Sequence, residues 1–180
     1  FVAAYNYMTN QSRNFSSAYT VALTEAQIKK YMPYIIKNTD SSMYNSWQYL
    51  MQKGLYDFTV SENKMNTSYV ADFAAYGDGF MFINRYGSIG VDLSTIIHEF
   101  GHFNALFNED EQKAGDGSSN YDLLETHSQC FELITLPAVE SLFKRYGIKC
   151  FDSYAFIKIY DCLWALLSNC AFDEFEYIVY

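Results

Sequence analysis

The run Asp92-Leu93-Ser94-Thr95-Ile96-Ile97-His98-Glu99-Phe100-Gly101-His102-Phe103 decides how the rest of the chain is read. Its apolar residues, Leu93, Ile96, Ile97, Phe100 and Phe103, recur at helical intervals, which predicts a helix returning from about Asp92. Inside it, His98-Glu99-Phe100-Gly101-His102 matches the pattern H-E-x-x-H. Residues four apart on a helix share a face, with Cβ atoms about 5–6 Å apart, so both imidazoles can reach one tetrahedral Zn²⁺. Glu99 projects about 100° round the helix from His98. From there it can act as general base on a water that the ion acidifies, without being a ligand itself. The bland alternative is a helix with two partly buried histidines and an exposed glutamate. Two imidazoles among Ile96, Ile97, Phe100 and Phe103 would be costly without a partner, which argues for the metal.

A catalytic zinc takes a third protein ligand and keeps one position open. The extended motif that supplies a third histidine is excluded, because its later positions hold Ala105 and Asn108. Glu109, Asp110 and Glu111 follow His102 too closely, in a polar stretch from Asn108 to Asn120 that reads as a solvated loop. Beyond it, Ser119 or Asn120 can cap a helix running from Tyr121 towards Tyr146, with a bend expected at Pro137. Glu125 opens that helix. His127 stands two residues on, about 200° round, so only one of the two can face the metal. Spacing favours Glu125 and leaves His127 open.

Upstream, four of the nine glycines fall between Gly77 and Gly90 and bracket Phe80-Met81-Phe82-Ile83-Asn84, a short strand candidate. Thr24 and Gln27 have capping-box spacing and precede Ile28, Tyr31, Met32, Ile35 and Ile36 at helical period, with Pro33 expected to kink that helix or displace its start. Asp40 to Ser42 reads as a second N-cap before Met43, Tyr44, Trp47, Leu50 and Met51, and Gly54 as a C-cap, giving an antiparallel helical hairpin. Residues 1–20 show no period and read as an irregular arm. From about Ser153 to Tyr180 the chain is almost continuously apolar and aromatic, as in one or two buried helices. One mostly helical unit over residues 1–180, with a small β element, is the expected architecture.

Composition sets outer limits. Of 180 residues, 12 are basic and 21 acidic, for a formal charge of −9; 18% are charged and 50% hydrophobic. That balance excludes disorder and argues against a nucleic-acid partner, since nothing here could neutralise a run of phosphates. No run approaches the roughly 20 continuous apolar residues of a bilayer span, so no membrane partner is expected. Cys130, Cys150, Cys162 and Cys170 lack paired spacings and lie in apolar, helix-periodic stretches, which predicts free, buried thiols in a reducing, cytoplasmic compartment. Phe1 is not an initiator Met and no signal peptide follows it, so the chain is expected to be processed or part of a longer protein.

The motif residues, taken with Asp122-Leu123-Leu124-Glu125-Thr126-His127-Ser128-Gln129-Cys130-Phe131-Glu132, resemble the thimet oligopeptidase and oligoendopeptidase F family of zinc metallopeptidases. That family has an H-E-x-G-H helix followed by a segment of the form E-x-x-S-Q/T-x-x-E, whose first Glu completes the zinc shell. The resemblance implies a mainly α, zincin-like metallopeptidase core with a small β element before the zinc helix. It implies Zn²⁺ held by His98, His102 and Glu125, Glu99 as the catalytic base, and a short peptide as substrate. Tyr56-Asp57, Lys64 and Phe80 to Asn84 are similar to the strand region before the zinc helix, and Asp173 to Glu176 to the end of a long family helix. Gly101 stands at the family's glycine, where another element is expected to pack close. Glu132, seven residues after Glu125, shares its helical face and is a candidate partner for a ligand histidine, the alternative being a solvated carboxylate.

Family members are several times longer and carry a later loop, with tyrosines and a histidine, that binds substrate and stabilises the oxyanion. This chain reaches Tyr180 without such a pattern, so it is expected to be the metal-binding part of a larger catalytic domain, weakly active at most on its own. Phe80 to Asn84 is a candidate edge for pairing with an extended peptide. Two other readings compete: a peptide-binding module with a vestigial zinc site, and a zinc hydrolase acting on a non-peptide substrate.

Overall fold

The computed structural model describes residues 21–108 and 121–179. The N-terminal arm and the acidic loop, with Glu109, Asp110, Glu111, Ser119 and Asn120, lie outside those residues. Six α-helices and three short strands make up the described part.

Helix α1 (Glu25–Thr39) begins where the capping box predicts. The Thr24 hydroxyl accepts from the Gln27 amide, and the Gln27 side chain accepts from the Thr24 amide. The helix runs on through Pro33, and all five residues of its apolar stripe are buried. Asp40 then caps a single 3₁₀ turn (Ser41–Met43) by accepting from the Ser42 amide, and α2 (Tyr44–Lys53) follows. Gly54 ends α2 in the left-handed region at φ 67°, which glycine enters without Cβ strain.

The strand expected over Phe80–Asn84 is β3 (Asp78–Phe82). It has two partners, β1 (Tyr56–Asp57) alongside in parallel and β2 (Tyr69–Phe73) antiparallel. With the order β1-β3-β2, β3 is the central strand, so it is not the peptide-pairing edge the sequence suggested. Both its hydrogen-bonding sides are in use, and the open edge of the sheet on the far side belongs to β2. Lys64 fastens the β1 end. Its ammonium donates to the carbonyls of Asp57, Thr59 and Ile83 and pairs with the Asp57 carboxylate.

Helix α3 (Ile89–Phe107) carries the two histidines and starts three residues ahead of the expected onset, capped by Ser88. It is buried on nearly every side, as a helix that is apolar most of the way round must be. Phe100 meets Trp47 of α2 edge-on, with ring centres 5.5 Å apart. Asn104 accepts from the Ser46 hydroxyl at 2.7 Å, and Asp92 accepts from the Tyr86 amide, tying down the loop before the helix.

The single bent helix expected from Tyr121 to Tyr146 is in fact two, α4 (Tyr121–Ile134) and α5 (Leu136–Tyr146), with the break at Thr135. Pro137 has no amide hydrogen and its ring would clash with the carbonyl one turn back, so it is accommodated in the first turn of a new helix. Helix α6 (Phe151–Val179) is continuous. The expectation that this stretch is buried is not met: only Tyr154 and Lys158 are buried, and Trp164, Phe172, Phe175 and Ile178 are exposed. By length and composition α6 could cross a membrane, with a mean hydropathy of 1.2 over its most apolar 18 residues. Counting uninterrupted apolar runs missed this, because isolated polar residues divide an otherwise apolar helix. The cysteines are all unpaired as predicted, but only Cys150 is buried; Cys162 is half-buried, and Cys130 and Cys170 are exposed.

Candidate metal centre

Helices α3 and α4 meet at Gly101. A Cβ built there would lie 2.8 Å from the Ser128 backbone, inside any normal contact. The missing side chain lets the two helix backbones come together, and Phe100 and Phe131 fill the space beside the crossing with ring centres 5.7 Å apart. Three residues before Ser128 on the same helix, Glu125 is thereby brought over the imidazoles of α3.

Three ligand atoms converge as a result. The Nε2 atoms of His98 and His102 are 3.1 Å apart, and the Glu125 carboxylate oxygens lie 3.3 Å from His98 and 3.6 Å from His102. A tetrahedral zinc with bonds of about 2.0–2.1 Å requires neighbouring ligand atoms separated by about 3.3–3.4 Å. The three edges scatter around that value, and two nitrogens and a carboxylate oxygen are a donor set zinc accepts. These residues fit the ion. The Ser128 hydroxyl, 3.2 Å from Glu125 Oε2, steadies the carboxylate, whose side chain is otherwise 60% exposed. His127 is not part of this cluster.

His98 is held from behind. Its Nδ1 is 2.7 Å from Glu132 Oε1, so an Nδ1–H tautomer donates to the carboxylate and leaves Nε2 bare to face the cluster. Glu132 is buried, and its second oxygen accepts from the Ser94 hydroxyl at 3.1 Å and from the Lys158 ammonium at 2.5 Å. Burial would push the Glu132 carboxyl up, but the His98 hydrogen bond and the Lys158 charge together hold it below the usual range. Burial also works against the His98 imidazolium, yet Glu132, with Glu99 and Glu125, raises its pKa. His102 moves the other way, lowered by burial and by the charge of His98.

Glu99 is 6% exposed, contrary to the bland reading of a solvated carboxylate. Burial pushes its carboxyl up to about 7, opposed by the His98 charge and reinforced by Glu125 and Glu132. It lines the same open cavity as His98, His102 and Glu125, of about 550 Å³. The opposite wall is Ser68, Tyr69, Val70 and Asp72, from β2 and the residue before it. A smaller cavity of about 280 Å³ adjoins His98 and Glu99 and reaches Ser94, Glu132 and Lys158.

The structure thus brings His98, Glu99, His102, Glu125 and Glu132 together and leaves His127 beside them. Sequence reasoning missed Ser94, Lys158 and the β2 wall. Lys158 carried one signal: it is the lone basic residue in α6, surrounded by Phe156, Ile157, Ile159 and Tyr160.

No family model and no curated protein matches the chain. Solved structures do. An oligoendopeptidase F from Bacillus anthracis str. Ames is similar over 89% of this chain, with a TM-score of 0.68 and 21% identity. A second structure described as an oligoendopeptidase F is similar over 88%, with a TM-score of 0.65 and 22% identity. PZ peptidase A, solved with an inhibitor, is similar over 84%, with a TM-score of 0.59 and 23% identity. The likeness is one of fold: this chain shares with those structures a mainly helical architecture with a small sheet, as its sequence resemblance implied. It spans 27%, 29% and 27% of the three chains it matches.

Proposed function

We propose that this chain is the metal-binding part of a zinc-dependent oligopeptidase, with His98, His102 and Glu125 as ligands and Glu99 as the catalytic base. The observation that carries the reading is the convergence of those three ligand atoms in one open cavity, with a buried carboxyl beside them whose pKa lies near neutrality. When bound, the ion supplies Lewis-acid chemistry, acidifying water and polarising a carbonyl.

The chain's own residues do the rest. Glu99, buried beside the cluster and lining the same cavity, takes the proton of the attacking water and returns it to the leaving nitrogen. Glu132 fixes the ring of His98 through Nδ1, and Ser128 restrains Glu125. The substrate is an extended peptide. β2 forms a wall of the cavity, and among the described residues no strand pairs with the side of it turned away from β3, so substrate backbone can add there as a further strand.

Zinc titration of the full chain, with peptide cleavage followed in parallel, tests the proposal. One equivalent should bind in the wild type, with loss of binding in His102→Ala. Glu99→Gln should keep the metal and lose cleavage by about 10²–10⁴-fold. A chain that takes up no zinc, or a Glu99→Gln variant as active as a wild type that cleaves measurably, would end this reading.

A further inference from the structure

Helix α6 contributes no ligand, yet its one basic side chain reaches the last residue of the second motif, Glu132, which supports the metal centre. Lys158 is 9% exposed, and its ammonium contacts two groups, Glu132 Oε2 at 2.5 Å and Asp161 at 3.5 Å. Glu132 in turn divides its oxygens, Oε1 to His98 and Oε2 to Lys158 and Ser94. The geometry points to Lys158 as a positioning residue for the zinc centre, acting through Glu132 to fix the tautomer and orientation of His98. This rests on the metal-centre reading above.

The physical argument starts from burial. A carboxylate out of water needs a partner for its charge and donors for its lone pairs. His98 supplies one donor, but a neutral imidazole supplies no charge. Lys158 supplies both a charge and a donor, and it does so on the oxygen His98 does not use. With that oxygen pinned by Lys158 and Ser94, Oε1 has one direction left, towards Nδ1 of His98. Without the ammonium, Glu132 is free to rotate, Oε1 no longer holds the Nδ1 proton of His98, and the ring proton can sit on Nε2 instead. That proton would occupy the lone pair aimed at Glu125 and His102. The link is also long-range: Lys158 is 26 residues from Glu132 and on a different helix, so the docking of α6 is coupled to the metal site.

Lys158→Met keeps the unbranched apolar stem, one atom shorter, and removes the charge; Lys158→Arg keeps the charge. Zinc affinity, measured against a competing chelator, should fall about 10–100-fold in Lys158→Met and recover to within about threefold of wild type in Lys158→Arg. In a Glu132→Gln background, Lys158→Met should change affinity less than about twofold, because the group it acts through is gone. Nitrogen NMR of the metal-free chain should show His98 as the Nδ1–H tautomer in the wild type and a mixture of tautomers in Lys158→Met. Wild-type affinity in a folded Lys158→Met, or an equal loss in both backgrounds, would overturn the assignment. So would a wild-type His98 whose neutral ring carries its proton on Nε2, a measurement that needs no variant. Should Lys158→Met fail to fold, Lys158→Gln takes its place with the same expected losses. A wild type that binds no zinc would refute the metal centre itself, while the tautomers still decide whether Lys158 controls His98.

Discussion

Replacing Gly101 by Ala sets two effects of known size against each other. Glycine inside a helix costs about 1 kcal/mol relative to alanine, so on helix propensity alone the substitution should stabilise the protein by that amount. The tertiary contact acts in the opposite direction. The new methyl would lie 2.8 Å from the Ser128 backbone, with Ser128 Cβ at 3.4 Å and Phe131 Cβ at 3.5 Å. Carbon atoms rest about 3.5–4.0 Å apart, so α3 and α4 must separate by about 0.7–1.2 Å at the crossing. Backbone cannot swing aside as a side-chain tip can, and overpacking of this kind costs about 1–3 kcal/mol. The net expectation is a loss of about 0–2 kcal/mol. The displacement also carries to Glu125, one turn away on the same rigid helix. Metal ligands tolerate about 0.2 Å, so zinc affinity should fall at least about tenfold, more than the stability change would suggest. Urea denaturation and chelator competition measure the two quantities on one preparation. An alanine variant that is about 1 kcal/mol more stable and binds zinc as the wild type does would refute the close crossing and everything built on it.

Three further outcomes are expected. In the metal-free chain, Glu99 has its carboxyl raised from 4.5 to about 7, so its contribution to stability is full below about pH 4.5 and is lost as pH rises through 7. Glu99→Gln should therefore be more stable than wild type at pH 8 by about 3 kcal/mol and equal to it near pH 4; identical pH–stability curves would contradict the burial assigned to Glu99. Glu125→Ala should weaken zinc binding by at least about a hundredfold while His127→Ala leaves it within about twofold, and the reverse order by titration calorimetry would move the third ligand to His127. Lys64→Met removes the donor shared by three carbonyls and the charge partner of Asp57, which keeps only its Thr59 donors, so it should cost about 3 kcal/mol in urea denaturation, whereas a loss below about 1 kcal/mol would make that network incidental.

Much of this architecture was legible wherever one local rule governs. The Thr24 capping box, the stripe from Ile28 to Ile36, the Gly54 cap and the helical period around His98 depend on residues within a turn or two of one another. The reading failed where two distant segments compete. Phe80–Asn84 looks the same in sequence whether it is an edge or a centre, and only its pairing with both Tyr56–Asp57 and Tyr69–Phe73 makes it central. Pro137 could bend a helix or begin one, and local sequence does not say which. Hydrophobicity says that α6 is apolar; it does not say how little of it is covered.

The site divides along the same line. Sequence by itself nominated the residues of the candidate site: two histidines four apart share a helix face whatever else the chain does, and Glu99 must project to one side of them. It also nominated Glu125, which opens the next helix after the loop, and Glu132, because seven residues on a helix return to the same face. Tertiary structure alone decided how close α4 comes to α3, and so whether Glu125 closes the cluster; that distance is set by a contact between Gly101 and Ser128. It alone buried Glu99 and moved its pKa, since desolvation depends on everything packed around a carboxyl. And it alone brought Lys158 to Glu132, an ion pair between helices whose sequences carry no sign of each other.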